Sequence, residues 1–133
     1  MNFTDAQSVA FDNDGTMYVM DNAIYESSQA KGEIYKVKDG VKSMFVDGTI
    51  WTSRDNDIVS DGEGGFWVAQ YRSSVGLYSL LVHVNKEGNI DFNVNPASST
   101  IKSWFPNTNG NASTRGNLAY YPKEKLLAFE GNK

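Results

Sequence analysis

The chain has 133 residues, 40% hydrophobic, 13% aromatic and 21% charged, which supplies enough Trp, Tyr and Phe for a core and excludes wholesale disorder. Without cysteine there is no disulfide framework, thiol nucleophile or Cys-ligated metal site, and the redox compartment stays open. A formal net charge of -4 argues against neutralising a phosphate backbone, no apolar run approaches the roughly 18 residues of a membrane span, and the opening MNFTDAQ lacks signal-peptide features, so neither a nucleic-acid partner nor a membrane span is expected.

In chain order, SVAFDNDGTMYVMD from Ser8 reads as two short strands joined by a tight turn. Val9 and Phe11 alternate as on a half-buried strand, and Gly15 supplies the positive φ that a hairpin needs. EIYKVKDGVKSMFV from Glu33 adds a strand, an Asp-Gly turn and a second strand. DIVSDGEGGFWVAQ from Asp57 repeats the first pattern, and LLVHVNKEGNIDFNV from Leu80 repeats the second with its turn at Glu87-Gly88. The long polar stretch from Pro96 to Gly116 carries Trp104 and Phe105, an aromatic pair expected to pin the loop to the body. NLAYYPKEKLLAFE from Asn117 then takes up the first pattern once more, with PKEK as a weaker turn.

These segments share a register. Val9 aligns with Ile58 and Tyr18 with Trp67, both 49 residues apart; Leu118 and Leu127 follow, both 60 residues further on. A constant offset marks an internal repeat. Each full unit is four consecutive antiparallel strands in about 40 residues, and no helical period competes, so the fold class is all-β.

Four-strand units of this size are the blades of a β-propeller. VAFDNDGTMYVMD followed by GEIYKVKDGVKSMF resembles the NHL-type repeat and the related gluconolactonase (senescence-marker) type of propeller. IVSDGEGGFWVAQYR followed by LLVHVNKEGNIDF is also similar to propeller regions of extracytoplasmic bacterial sensor proteins. The resemblance spans residues 5 to 131 apart from the inter-blade loops. It implies a single partial propeller domain over 1–133 of about two and a half four-stranded antiparallel blades: blade 1 about 5–47, blade 2 about 55–95 and half-blade 3 about 115–131. Closed propellers have typically 4 to 8 blades. The chain is therefore expected to be a fragment, or to complete its ring with the rest of the propeller or another copy of itself; two copies would supply five blades if the half-blades were matched. The resemblance alone favours a periplasmic or extracellular location.

The chemistry is sparse. An EF-hand loop begun at Asp12 would need Gly where Met17 stands and Glu where Ala23 stands; begun at Asp55 it meets Ser60 and Phe66. At the start of each unit's first strand the register aligns Ser8, Asp57 and Asn117. In a propeller that strand is innermost, and the gluconolactonase-like resemblance implies a Ca²⁺ site with Glu, Asn and Asp ligands on different blades. Asp57 and Asn117 match in type and are the metal candidates, whereas Ser8 departs from the pattern. No other cofactor is expected. Asp21, Gln70 and Glu130 align at the second-strand exits, but carboxylates on different blades do not make an acid/base pair. His83, the single histidine, aligns with Lys36 and is expected on a solvated face. No G-x-S-x-G or P-loop motif occurs.

Tyr18, Phe66, Trp67 and Phe11 are expected in the core between blades. Trp51, Tyr71, Trp104 and Phe105, with Arg72 and Arg115, fall on loops or strand exits, where aromatics can form a platform for carbohydrate or peptide. The reading favours a non-enzymatic ligand- or protein-binding or sensing module. Its rivals are a fragment of a metal-dependent lactonase-like hydrolase and a purely structural spacer.

Overall fold

The computed structural model describes residues 1–21, 33–47, 56–70, 81–94 and 114–131. Among them there is no helix. The chain forms β1 (Ala6–Phe11), β2 (Met17–Asp21), β3 (Glu33–Lys38), β4 (Val41–Asp47), β5 (Asn56–Ser60), β6 (Phe66–Gln70), β7 (Leu81–Val84), β8 (Ile90–Val94), β9 (Thr114–Tyr121) and β10 (Leu126–Gly131). They assemble into three antiparallel sheets, ordered β1-β2-β3-β4, β5-β6-β7-β8 and β10-β9, each an up-and-down meander.

Turn chemistry sets the hairpins. In the β1–β2 turn the Gly15 amide donates to the Asp12 carbonyl (3.0 Å) and the Asp12 amide to the Thr16 carbonyl (2.8 Å), with Gly15 at φ 80. The β9–β10 turn has no glycine at all, and Lys125 takes the positive φ (53) there, a conformation that costs a side-chain-bearing residue about 1 kcal/mol.

The sheets stack face to face. Ala10, Tyr18, Met20, Ile34 and Val46 project from the first sheet into one buried cluster with Ile58, Phe66, Val68, Val82 and Val84 of the second. Tyr18 and Phe66 meet with ring centroids 5.3 Å apart, and the Tyr18 hydroxyl donates to the Gly64 carbonyl at 2.7 Å, so the largest buried ring spans both sheets. Strand alternation turns Trp67, His83 and Phe92 to the opposite face of the second sheet. There Trp67 meets Tyr120 of β9 at 6.3 Å. Tyr18 and Trp67, equivalent in the repeat, thus each face the sheet that follows.

The third unit departs from the expected alignment. Residues 12–16 and 61–65 close the first two hairpins, but residues 122–125 close the third, one residue fewer. Leu127 therefore pairs with Tyr120 and shares its face toward the second sheet, and the counterpart of Trp67 is Ala128. In a strand, a slip of one residue exchanges the two faces. Phe11 also departs from expectation: it is 66% exposed, on the face of the first sheet that turns away from the second. The N-terminal segment covers the β3–β4 part of that face, with Phe3 edge-on to Tyr35 (6.0 Å) and Lys42 Nζ above both rings, 4.3 and 3.8 Å from their centroids.

Candidate functional site

β1, β5 and β9 are each the terminal strand of their sheet, and they lie side by side. Asp57 ties them together. Its Oδ1 accepts from the Ser8 hydroxyl of β1 (3.0 Å) and from its neighbour's amide, Ile58 N–H (3.0 Å); its Oδ2 accepts from the Leu118 amide of β9 at 2.7 Å. The aligned row expected at the strand starts is thus physically adjacent, and its single carboxylate satisfies donors from three sheets. A cation at Asp57 would have to compete with them. Asn117, the second metal candidate, stands on β9 next to Leu118. Among the described residues no three His, Asp or Glu side chains converge as a metal-holding group.

Toward the turns, the same three strands line a groove of about 270 Å³, with Phe11, Ile58, Val59, Tyr120 and Pro122 among its apolar walls and Ser60 on its polar side. The first two turns meet at its end: Asn13 Nδ2 donates to the Gly62 carbonyl at 3.3 Å, and Ser60 Oγ donates to Asp12 at 3.1 Å. Fields around the groove are acidic. Burial, helped by Asp12, Asp61 and Asp14, pushes the Tyr18 phenol up to about 12. Asp14 lies beside Lys38 Nζ (2.6 Å), whose hydrogen bond holds its carboxyl well below the usual range and raises the ammonium in turn.

A second cluster sits on the far side of the second sheet and was missed in the sequence. His83 Nε2 lies 2.9 Å from Asp61 Oδ2 and His83 Nδ1 2.5 Å from Asp91 Oδ1, with the ring 4.5 Å from Trp67. Asp61 is buried (7% exposed), and its Oδ1 accepts the Glu63 and Gly65 amides that shape the β5–β6 turn. His83 is therefore a half-buried bridge between that turn and β8, where the Lys36 equivalence had placed a solvated residue. Asp21 likewise serves structure: buried, it accepts the Thr4 and Asp5 amides (2.9 and 2.6 Å). The loop candidates Trp51, Tyr71, Arg72, Trp104 and Phe105 lie outside the described residues, and Arg115 falls within β9.

Set against family models, curated proteins and solved structures, the chain has no match in any of the three.

Proposed function

We propose that the chain is a non-enzymatic binding module, part of a β-propeller, whose ligand-facing surface is the groove between its first strands. The observation that supports this is the convergence of β1, β5 and β9 on an open groove of about 270 Å³ that mixes apolar side chains (Phe11, Val59, Tyr120, Pro122) with a larger share of polar surface from Asn13, Ser60 and the backbone. Concave sites that combine apolar contact with fixed polar groups are where small ligands and side chains are held. The groove is small, so it suits one aromatic or aliphatic side chain of a peptide, or one sugar ring.

A panel of short peptides and oligosaccharides, screened by NMR chemical-shift mapping on the intact chain, tests the reading. Shifts should concentrate on Val59, Ser60 and Tyr120, and Tyr120→Ala should weaken the binder about tenfold. Shifts confined elsewhere, or an affinity indifferent to Tyr120→Ala, would overturn it. Calcium titration followed by thermal melting addresses the metal reading separately. With Asp57 acting as a strand clamp, millimolar Ca²⁺ leaves the melting temperature unchanged, whereas a rise that Asp57→Asn abolishes assigns the carboxylate to a cation.

A further inference from the structure

The groove between the first strands owes part of its polar lining to strand edges, and the hydrogen bonds tell which main-chain groups these are. Among the described residues β1, β5 and β9 pair only with β2, β6 and β10, so the other edge of each carries no ladder. Along an antiparallel strand the main-chain groups of successive residues alternate between its two edges. The Asp12 amide closes the β1–β2 hairpin on the Thr16 carbonyl, and the Asp61 amide closes the β5–β6 hairpin on the Gly65 carbonyl. Phe11 and Val9, one and three residues before Asp12, therefore turn their N–H and C=O groups to the free edge, as does Ser60 just before Asp61. On β9 the Leu118 amide donates sideways to Asp57, so Tyr120, two residues on, points the same way. Val9, Phe11, Ser60 and Tyr120 all line the groove.

The two ends of this row differ. Near the strand starts, side chains supply the acceptors: Ser8 Oγ and Asp57 Oδ1 lie 3.2 and 3.0 Å from the Ile58 amide, and Asp57 Oδ2 lies 2.7 Å from the Leu118 amide. Toward the turns, the same edges open on the groove. An unpaired strand edge is a template for another extended chain, and main-chain bonds to such an edge are a recurring way of holding a peptide. A sugar ring does not present donors and acceptors at the repeat of a strand.

Charge selects the side chain. Asp14 is paired with Lys38, Asp61 with His83 and Glu63 with Lys125, whereas Asp12 forms no salt bridge among the described residues. Ser60 Oγ donates to Asp12 Oδ1 at 3.1 Å, which holds this carboxylate at the turn end of the groove. Phe11, Val59, Tyr120 and Pro122 supply apolar surface of the kind that the stem of a lysine or arginine covers.

We infer that the groove takes a short extended peptide with a basic side chain, its main chain bonded to the free strand edges and its cation paired with Asp12. This rests on the groove being the ligand-facing surface and adds the chemical class of the ligand.

The probes are blocked pentapeptides, acetyl-X-X-Lys-X-X-amide with valine, threonine or tyrosine at X, the same library with norleucine or glutamate at the centre, and a set of oligosaccharides. In NMR shift mapping on the intact chain the lysine library should move the Asn13, Ser60 and Tyr120 amides. The norleucine library should bind about fivefold more weakly, and the glutamate library more weakly still. Methylating the amides of the best binder one at a time should cost about tenfold at every second position and little between, because only alternate amides of an added strand face its neighbour. Asp12→Asn keeps Oδ1 as an acceptor for Ser60 and should erase the preference for lysine over norleucine without weakening norleucine peptides. Equal affinity for the three central residues, methylation costs without alternation, or a lysine preference that survives Asp12→Asn would each overturn the inference. Oligosaccharides that move the groove amides where peptides do not would also overturn it, while leaving the groove a binding surface; no shift there from any probe would remove both readings.

Discussion

Replacing Asp57 by Ala removes a side chain that bonds three sheets at once. The Leu118 amide, 2.7 Å from Oδ2, loses its acceptor, and the Ser8 hydroxyl loses Oδ1 at 3.0 Å; the Ile58 amide keeps an alternative in Ser8 Oγ at 3.2 Å. Two bonds to a charged acceptor are therefore lost outright. At about 1.5 kcal/mol each, the low end for a half-exposed carboxylate that water partly replaces, the cost is about 3 kcal/mol. Asp57→Asn keeps one carbonyl acceptor and should cost about half as much, and Ser8→Ala about 1 kcal/mol. Urea unfolding followed by tryptophan fluorescence reads this directly. With a slope of about 2 kcal/mol/M, Asp57→Ala should lower the midpoint by about 1.5 M. The double variant should be less destabilised than the sum of its parts, since both changes remove the same bond. A midpoint shift below about 0.3 M for Asp57→Ala, or strict additivity with Ser8→Ala, would refute the clamp.

Three further outcomes follow from the packing. The Tyr18 phenol, raised from 10.0 to about 12, binds its proton more tightly in the folded state, so its contribution to stability is complete below pH 10 and is lost as pH rises toward 12. Tyr18→Phe should therefore flatten the alkaline unfolding profile measured by circular dichroism, leaving the part that comes from Tyr35, which its bond to Glu33 also raises to about 12. A Cβ at Gly65 would meet the Val84 carbonyl oxygen at 2.4 Å and Asp61 Oδ2 at 2.6 Å, whereas one at Gly15 would meet nothing within 4 Å. Gly65→Ala should therefore cost about 3 kcal/mol and Gly15→Ala only the backbone strain of about 1 kcal/mol; equal effects in chemical denaturation would contradict this. His83→Phe keeps the ring against Trp67 but leaves the buried Asp61 Oδ2 without a donor, at about 2 kcal/mol, and Asp61→Asn added to it should recover about 1 kcal/mol; no recovery would mean the histidine acts by packing alone.

Much of the architecture was legible in local chemistry. Asp-Gly and Glu-Gly turns at fixed spacing, with Val, Ile, Tyr and Phe alternating between them, specify consecutive hairpins, and the 49-residue offset between Tyr18 and Trp67 carried over into equivalent packing on the following sheet. The third unit was misaligned because Pro122–Lys125 makes its reversal without glycine and one residue short, and nothing in the apolar pattern of LLAF distinguishes one face from the other. The strand-start row was visible, with Asp57 as its single carboxylate, but hydrogen-bond saturation by Ser8, Ile58 and Leu118 depends on three strands meeting sideways. His83 was misjudged for a related reason. Its partners Asp61 and Asp91 sit in a turn and on the next strand, whereas the lysine at the equivalent position of the first unit lies over the Tyr18 and Phe45 rings. A buried Asp in a turn, opposite a histidine across the ladder, is the signal that was there to be read.

The meander order of the sheets has a kinetic consequence. Every strand pairs with its sequence neighbour, so hairpin closure needs only short loops and each sheet can zip up locally. The contacts that span distance along the chain are those between sheets: Tyr18 to Gly64, Ser8 to Asp57, Asp57 to Leu118. Docking of preformed sheets is then the slow event in folding. The two-stranded third sheet, with the fewest neighbours, would detach first in native-state hydrogen exchange while the Tyr18–Phe66 junction persists to global unfolding.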